Sequence, residues 1–267
     1  MPWRLETLKN YLQIFDTKEI DVIIKFMTTY TPPSFVERFQ YKNCKQINDP
    51  VTRKRVYQTP DGERLPSVTT ILGATKDMTQ LNEWRNRVGI EKAQQITTEA
   101  AGVGTAMHAN LERFLIGEQR QPGNNPVHIK ANAMADQIII NGLSKMDEVW
   151  AMEQSLYFPG LYSGTTDLVG VYDGQPAIAD HKQTNRPKKA EWVEDYYLQL
   201  VAYIMAHNAV YGTDMKRGVI FMCSRGNDSI KVGGEVYQQF DLLPQDFNKY
   251  QDQWLTKVED YYLNYHK

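Results

Sequence analysis

The sequence predicts a mixed α/β fold, a central mixed β-sheet flanked by helices, and three observations carry that prediction. Gly164 to Thr184 reads GTTDLVGVYDGQPAIADHKQT, two runs rich in β-branched residues around Asp173-Gly174. An Asp-Gly pair between such runs signals a tight hairpin, because both turn positions need positive φ. Val193, Tyr197, Leu200, Val201 and Ile204 then recur at helical spacing, which predicts a long helix with one core stripe. Finally, the elements run as helices, three strands, a helix, strands and a closing helix, the order of a sheet with helices on its faces.

Taken in chain order, residues 1–30 read as one or two amphipathic helices, with Leu5, Leu8, Leu12 and Phe15 on one face. Thr31-Pro32-Pro33 breaks that pattern. Met27 stands just before the break, so the first 26 residues are either an appendage or the product of an alternative start. Phe35 to Leu72 reads as extended, with a strand at Arg55–Gln58, a turn at Pro60-Asp61-Gly62 and a lead into a helix after Pro66. Residues 78–98 are expected to be helical. Gly102 and Gly104 punctuate before a second helix over Thr105–Ile116, which carries His108. Pro122 to Pro126 forms a loop before a helix to about Ile140, and Val149–Phe158 is a strand containing Glu153. After the hairpin come a helix over Lys189–Val210, strands near 217–223 and 230–240, and a last helix from Pro244 to Tyr265. Residues 1–60 are expected to be an N-terminal extension and 61–267 the principal domain.

At 267 residues the chain is long enough to bury a sizeable core as one domain. No apolar run approaches membrane-spanning length. The N-terminus mixes charges with apolar residues, unlike a secretory signal. Cys44 and Cys223 are too few for a disulfide framework or a four-cysteine cluster. The expectation is a chain that is not secreted, working in the cytoplasm of a bacterium or a phage-infected host. The formal net charge of −2 does not advertise nucleic-acid binding in bulk. Basic residues nonetheless cluster at Arg53 to Arg55 and again at Lys182, Arg186, Lys188 and Lys189.

The hairpin register concentrates charge at its open end. With Asp173-Gly174 as the turn, Tyr172 faces Gln175, Val169 faces Ile178 and Asp167 faces Asp180. Opposed residues on one sheet face have β-carbons about 5 Å apart, and like charges placed so repel. Lys182, two residues beyond Asp180, leaves the strand on the same face. A divalent cation between the carboxylates would turn the repulsion into binding. A solvated hairpin end is the plain alternative, and a one-residue slip would separate the two carboxylates.

The series Gly104-x-x-x-His108, Gly164-x-x-Asp167, Asp180-x-Lys182 and Gln199-x-x-x-Tyr203 resembles the RecB-type branch of the PD-(D/E)xK nuclease superfamily. Pro66-Ser67-Val68-Thr69 and the run GTAMHANLE from Gly104 to Glu112 are similar to the mitochondrial genome maintenance exonucleases and related phage and bacterial exonucleases. The resemblance covers roughly residues 64–260. It implies a restriction-endonuclease-like core and a Mg²⁺- or Mn²⁺-dependent DNA exonuclease. The implied substrate is single-stranded DNA or free ends, in replication, repair or recombination. Asp167 and Asp180 would hold the metal, with His108 adding a nitrogen ligand and His181 only its backbone carbonyl. His181 departs from the family's usual apolar or aromatic residue and is expected to face away from the metal.

Lys182 would orient or deprotonate the attacking water or stabilise charge on phosphorus. Gln199 would hydrogen-bond Lys182 or a phosphate, and Tyr203, one turn on, would contact a phosphate or a base. Ser67, Thr69, Thr184, Arg186 and Lys188 are the remaining candidates for nucleic-acid contact; a helix cap is the alternative for the first two and a solvated loop for the others. Glu153 is either a supporting partner of the site or an ordinary strand carboxylate. Trp192, Tyr196 and Tyr203 offer faces for base stacking. A structure-specific flap endonuclease on the same core, or a non-catalytic DNA-binding subunit, are the rival readings. The complete set Asp167, Asp180 and Lys182 argues against a dead site.

Overall fold

The computed structural model describes residues 31–49, 55–120, 123–226 and 233–266; the helices expected within residues 1–30 lie outside them. Short extended runs come first: β1 (Ser34–Phe35), β2 (Lys45–Asn48), β3 (Arg55–Gln58) and β4 (Arg64–Pro66). The expected turn joins β3 to β4, where the Gly62 N–H donates to the Thr59 carbonyl at 2.9 Å with Gly62 at φ 91°. Ser67 then caps α1 (Val68–Ala74), its hydroxyl accepting from Thr70 N at 3.0 Å.

Helices α2 (Thr79–Val88) and α3 (Ile90–Leu115) follow. The break between them is at Gly89, φ 85°, and not at Gly102 or Gly104, through which α3 runs unbroken. An interior glycine costs a helix only about 1 kcal/mol relative to alanine, and packing along α3 outweighs it. Asn125 caps α4 (Pro126–Asn141), with Pro126 in the first turn. Three long strands come next, β5 (Met146–Phe158), β6 (Tyr162–Tyr172) and β7 (Gln175–Thr184). Helix α5 (Glu194–Tyr211) starts five residues later than the sequence suggests, because a single 3₁₀ turn at Ala190–Trp192 precedes it. Strands β8 (Arg217–Ser224) and β9 (Val236–Leu242) and helix α6 (Phe247–Asn264) complete the order.

The main sheet is mixed, in the order β1-β5-β6-β7-β8-β9; β1 with β5 and β7 with β8 are parallel, and the other neighbours antiparallel. Strands β2, β3 and β4 make a separate antiparallel sheet. Joining parallel β7 and β8 requires a crossover, and α5 supplies it. Its predicted stripe is the core of one face: Val193, Leu200, Val201 and Ile204 pack fully buried with Val169, Ile178, Ile220 and Met222. Each such aliphatic side chain contributes about 1.5–3 kcal/mol on burial. Phe221, between Ile220 and Met222, points the other way and meets the end of α4 at Gly142. Helices α3 and α4 therefore cover the face opposite α5. Residues Pro33–Lys267 form one compact unit.

Candidate functional site

The hairpin turn forms with Asp173 at φ 49° and Gly174 at φ 73°, and the register is the expected one, Tyr172 opposite Gln175 and Val169 opposite Ile178. The pairing runs to Leu168–Ala179 and stops one residue short of Asp167 and Asp180. Asp167 itself ends it. Its Oδ2 accepts the backbone N–H of His181 at 2.5 Å, replacing a ladder bond with a charge-assisted one. Strand β7 continues to pair with β8 as far as Thr184–Ser224. The pairing of β6 with β7 thus ends beside Asp167 while β7 stays fixed on β8, and the two carboxylates lie at that point.

Asp180, 2% exposed, is ion-paired with Lys182. Burial pushes the Asp180 carboxyl up, Asp167 adds to it, and Lys182 pulls it back. Burial also works against the Lys182 ammonium, yet Asp180 and Asp167 hold its pKa above the ordinary lysine value. Lys182 therefore stands as a cation. Its Nζ also lies 5.3 Å from the ring centre of the half-buried Tyr196.

His108 projects from α3, with Nε2 at 3.1 Å from the His181 carbonyl oxygen and Nδ1 at 3.7 Å from Asp167 Oδ1. The contact with the carbonyl is a hydrogen bond in which Nε2–H donates, so Nδ1, toward Asp167, is the ring nitrogen with the free lone pair. Two carboxylates, an imidazole and a carbonyl make a donor set suited to a hard divalent cation with tolerance for Mn²⁺.

The expectation that the His181 ring faces away is not met. Its Nδ1 lies 3.7 Å from Asp167 Oδ2, and ligand atoms of His108, Asp167 and His181 all fall within 4.8 Å of one another. Asp167 sits past the end of the ladder and so reaches groups on both faces of β7. Burial, then the neighbouring His108, pushes the His181 pKa down to about 3, which leaves a neutral imidazole stacked on Phe221.

Two further carboxylates act on this cluster: Glu153, named above as a candidate supporting partner, and Glu112. Glu153 occupies a left-handed position, φ 48°, between the pairs Met152–Leu168 and Gln154–Thr166, which puts it across from Asp167. Although Glu153 stands largely exposed, loss of hydration around its carboxyl, then Asp167 and Glu112, push it up to about 7. Glu112 follows His108 by one helical turn, a spacing readable in the sequence that carried no role there.

The remaining predicted residues divide. Gln199 is buried and donates from Nε2 to the Tyr203 hydroxyl at 3.2 Å, and not to Lys182. Tyr203 is 2% exposed, its ring against Gly164, so it has no free face for a base. Ser67 is likewise buried, its hydroxyl committed to the cap and to the hydroxyls of Thr69 and Thr70. For Tyr203 the cause is a tertiary contact: Gly164 on β6 leaves room for its ring, and Gln199 follows through its hydrogen bond to the Tyr203 hydroxyl. Thr69 is exposed at the start of α1. Thr184 is buried and donates to the Arg186 carbonyl at 3.0 Å, shaping the loop on which Arg186 is exposed and Lys188 half-buried. Trp192 is 56% exposed, with the Lys189 ammonium 5.3 Å from its ring.

No family model matches the chain. Mitochondrial genome maintenance exonuclease 1 of Homo sapiens is 25% identical to it over 208 residues, which are 74% of this chain. The match spans 58% of that curated relative, somewhat over half its length. A crystal structure of a protein from Eubacterium rectale assigned as an exonuclease is similar over 61% of this chain and 64% of its own. That similarity has 13% identity and a TM-score of 0.44.

Proposed function

We propose that the chain is a metal-dependent nuclease that hydrolyses phosphodiester bonds of DNA from free ends, with single strands preferred. One observation carries the reading: Asp167, Asp180, Lys182 and His108 come together where the pairing of β6 with β7 ends. Similarity to a relative named as a genome maintenance exonuclease supports it.

Asp167, Asp180, His108 and the His181 carbonyl would hold Mg²⁺ or Mn²⁺. A divalent ion there supplies Lewis acidity toward phosphate and lowers the pKa of water. Lys182, kept protonated by the two carboxylates, donates to the oxygen on which charge develops. Tyr203 packs against Gly164 and Gln199 holds its hydroxyl, so the pair backs the strand that carries Asp167. The exposed Trp192 and the partly exposed Tyr196, beside Lys189 and Arg186, offer stacking and phosphate contacts to an unpaired strand.

Asp180→Ala and Lys182→Ala test the assignment on end-labelled single-stranded DNA with Mg²⁺. Both are expected to lose cleavage by about 100-fold or more, on the order of removing one preorganised electrostatic group, with far-UV circular dichroism unchanged. Full activity in either variant would overturn it.

A further inference from the structure

Arg225 follows the last residue of β8, and its backbone N–H donates to the Thr184 carbonyl at 3.0 Å. Its side chain is 5% exposed. Among the described residues its Nε and Nη2 have no hydrogen-bond partner, although both are buried. Burial works against its charged form and pulls the guanidinium below the usual arginine range, with the Glu99 carboxylate on α3 offsetting part of that. A guanidinium withdrawn from water without a bound carboxylate is costly, and its planar fork matches the oxygens of a phosphate.

Its position gives that fork a use. Arg225 lies three strand positions beyond Lys182, roughly 10 Å at about 3.3 Å per residue. Strand alternation sends it to the face shared by Cys223 and Phe221, toward α3, while Ile220 and Met222 pack on the α5 side. Gln183 takes the same face, its Nε2 donating to the Ala100 carbonyl of α3 at 3.3 Å and its Oε1 buried without a partner among the described residues. Lys182 and Arg225 therefore flank the carboxyl ends of parallel β7 and β8 from opposite faces, too far apart to grip one phosphate.

We propose that Arg225 binds a second phosphodiester of the nucleic-acid strand, distinct from the one cleaved, and so fixes how the strand crosses the end of the sheet. This rests on the nuclease reading above and adds to it a residue that sets strand position. Arg225 is a binding residue in this role, with no part in the bond-breaking step.

The test uses single-stranded DNA oligonucleotides in which one phosphate at a time is replaced by an uncharged methylphosphonate. Binding is measured with Ca²⁺ in place of Mg²⁺, for the full chain and for Arg225→Gln and Arg225→Lys. The expected result is one position, other than the scissile one, where the neutral phosphate weakens binding by the full chain about tenfold, as loss of one charge-assisted fork contact would. That penalty should vanish in Arg225→Gln and be partly retained in Arg225→Lys. The slope of log affinity against log salt should also fall by about 0.7 in Arg225→Gln, one phosphate contact on a single strand. In cleavage, KM should rise with kcat within about twofold. An identical positional profile in the full chain and Arg225→Gln would overturn the inference. So would loss of folding in both variants, which would make Arg225 a structural residue. A full chain that neither binds nor cleaves DNA would instead remove the nuclease reading itself.

Discussion

Asp167 is the residue on which the site turns, because its two oxygens face different partners. Oδ2 takes the His181 N–H and ends the hairpin ladder, and Oδ1 faces the His108 ring. The sequence showed where Asp167, Asp180 and Lys182 lie, since period-two alternation and a fixed turn leave little freedom. It did not show that Asp167 would break the pairing, or that the His181 ring would come with it, because those outcomes depend on side-chain hydrogen bonding and not on register. Glu153 is a second such case. Its raised pKa means that the folded chain binds this proton more tightly than the unfolded one. The stabilising effect is therefore present at low pH and lost as pH rises from about 4.5 through about 7. Glu153→Gln should raise the metal-free melting temperature at pH 8 and leave it nearly unchanged at pH 4.5. Equal shifts at both pH values, read by thermal melts in EDTA, would refute that account.

Among the elements, the contact of β6 with α5 governs how the site is backed. A Cβ on Gly164 would sit 2.8 Å from the Tyr203 ring and 3.0 Å from its hydroxyl, the group that accepts from Gln199. Gly164→Ala should cost about 1–3 kcal/mol through overpacking, lowering the melting temperature by several degrees. A melting temperature within about one degree of the parent's would show that α5 gives way freely. The helix pattern announced α5 and its stripe, but not that Tyr203 would turn inward. Periodicity ranks faces by apolarity, while the small residue that admits this tyrosine, Gly164, stands far back in the chain on β6. The same limit explains α3. Gly102 and Gly104 look like punctuation in one dimension, yet in the fold α3 runs through both and packs on β7 with room for a small side chain at either. A methyl group added at Gly104 would lie 3.8 Å from Gln183 Cγ, in van der Waals contact with the strand that carries the site.

Across the whole molecule, the mixed sheet with helices on both faces was legible, since long strands and an amphipathic crossover helix leave few alternatives. Strand β3 was legible at Arg55–Gln58, but the parallel edge strand β1 and the joining of β2, β3 and β4 into a separate sheet were not, because strands of two to four residues carry too little pattern to show their partners. At molecular scale the net charge of −2 argues against holding a duplex by broad electrostatics. Affinity is expected to come from the narrow basic and aromatic path around Lys182, Arg186, Lys189 and Trp192, which suits unpaired bases. The most direct measurement is digestion of matched single-stranded DNA, linear and sealed into a circle, with Mg²⁺ and with EDTA. The account predicts rapid loss of the linear form with Mg²⁺, a surviving circle, and no digestion in EDTA. Linearisation of the circle at a comparable rate, or cleavage that persists in EDTA, would contradict it.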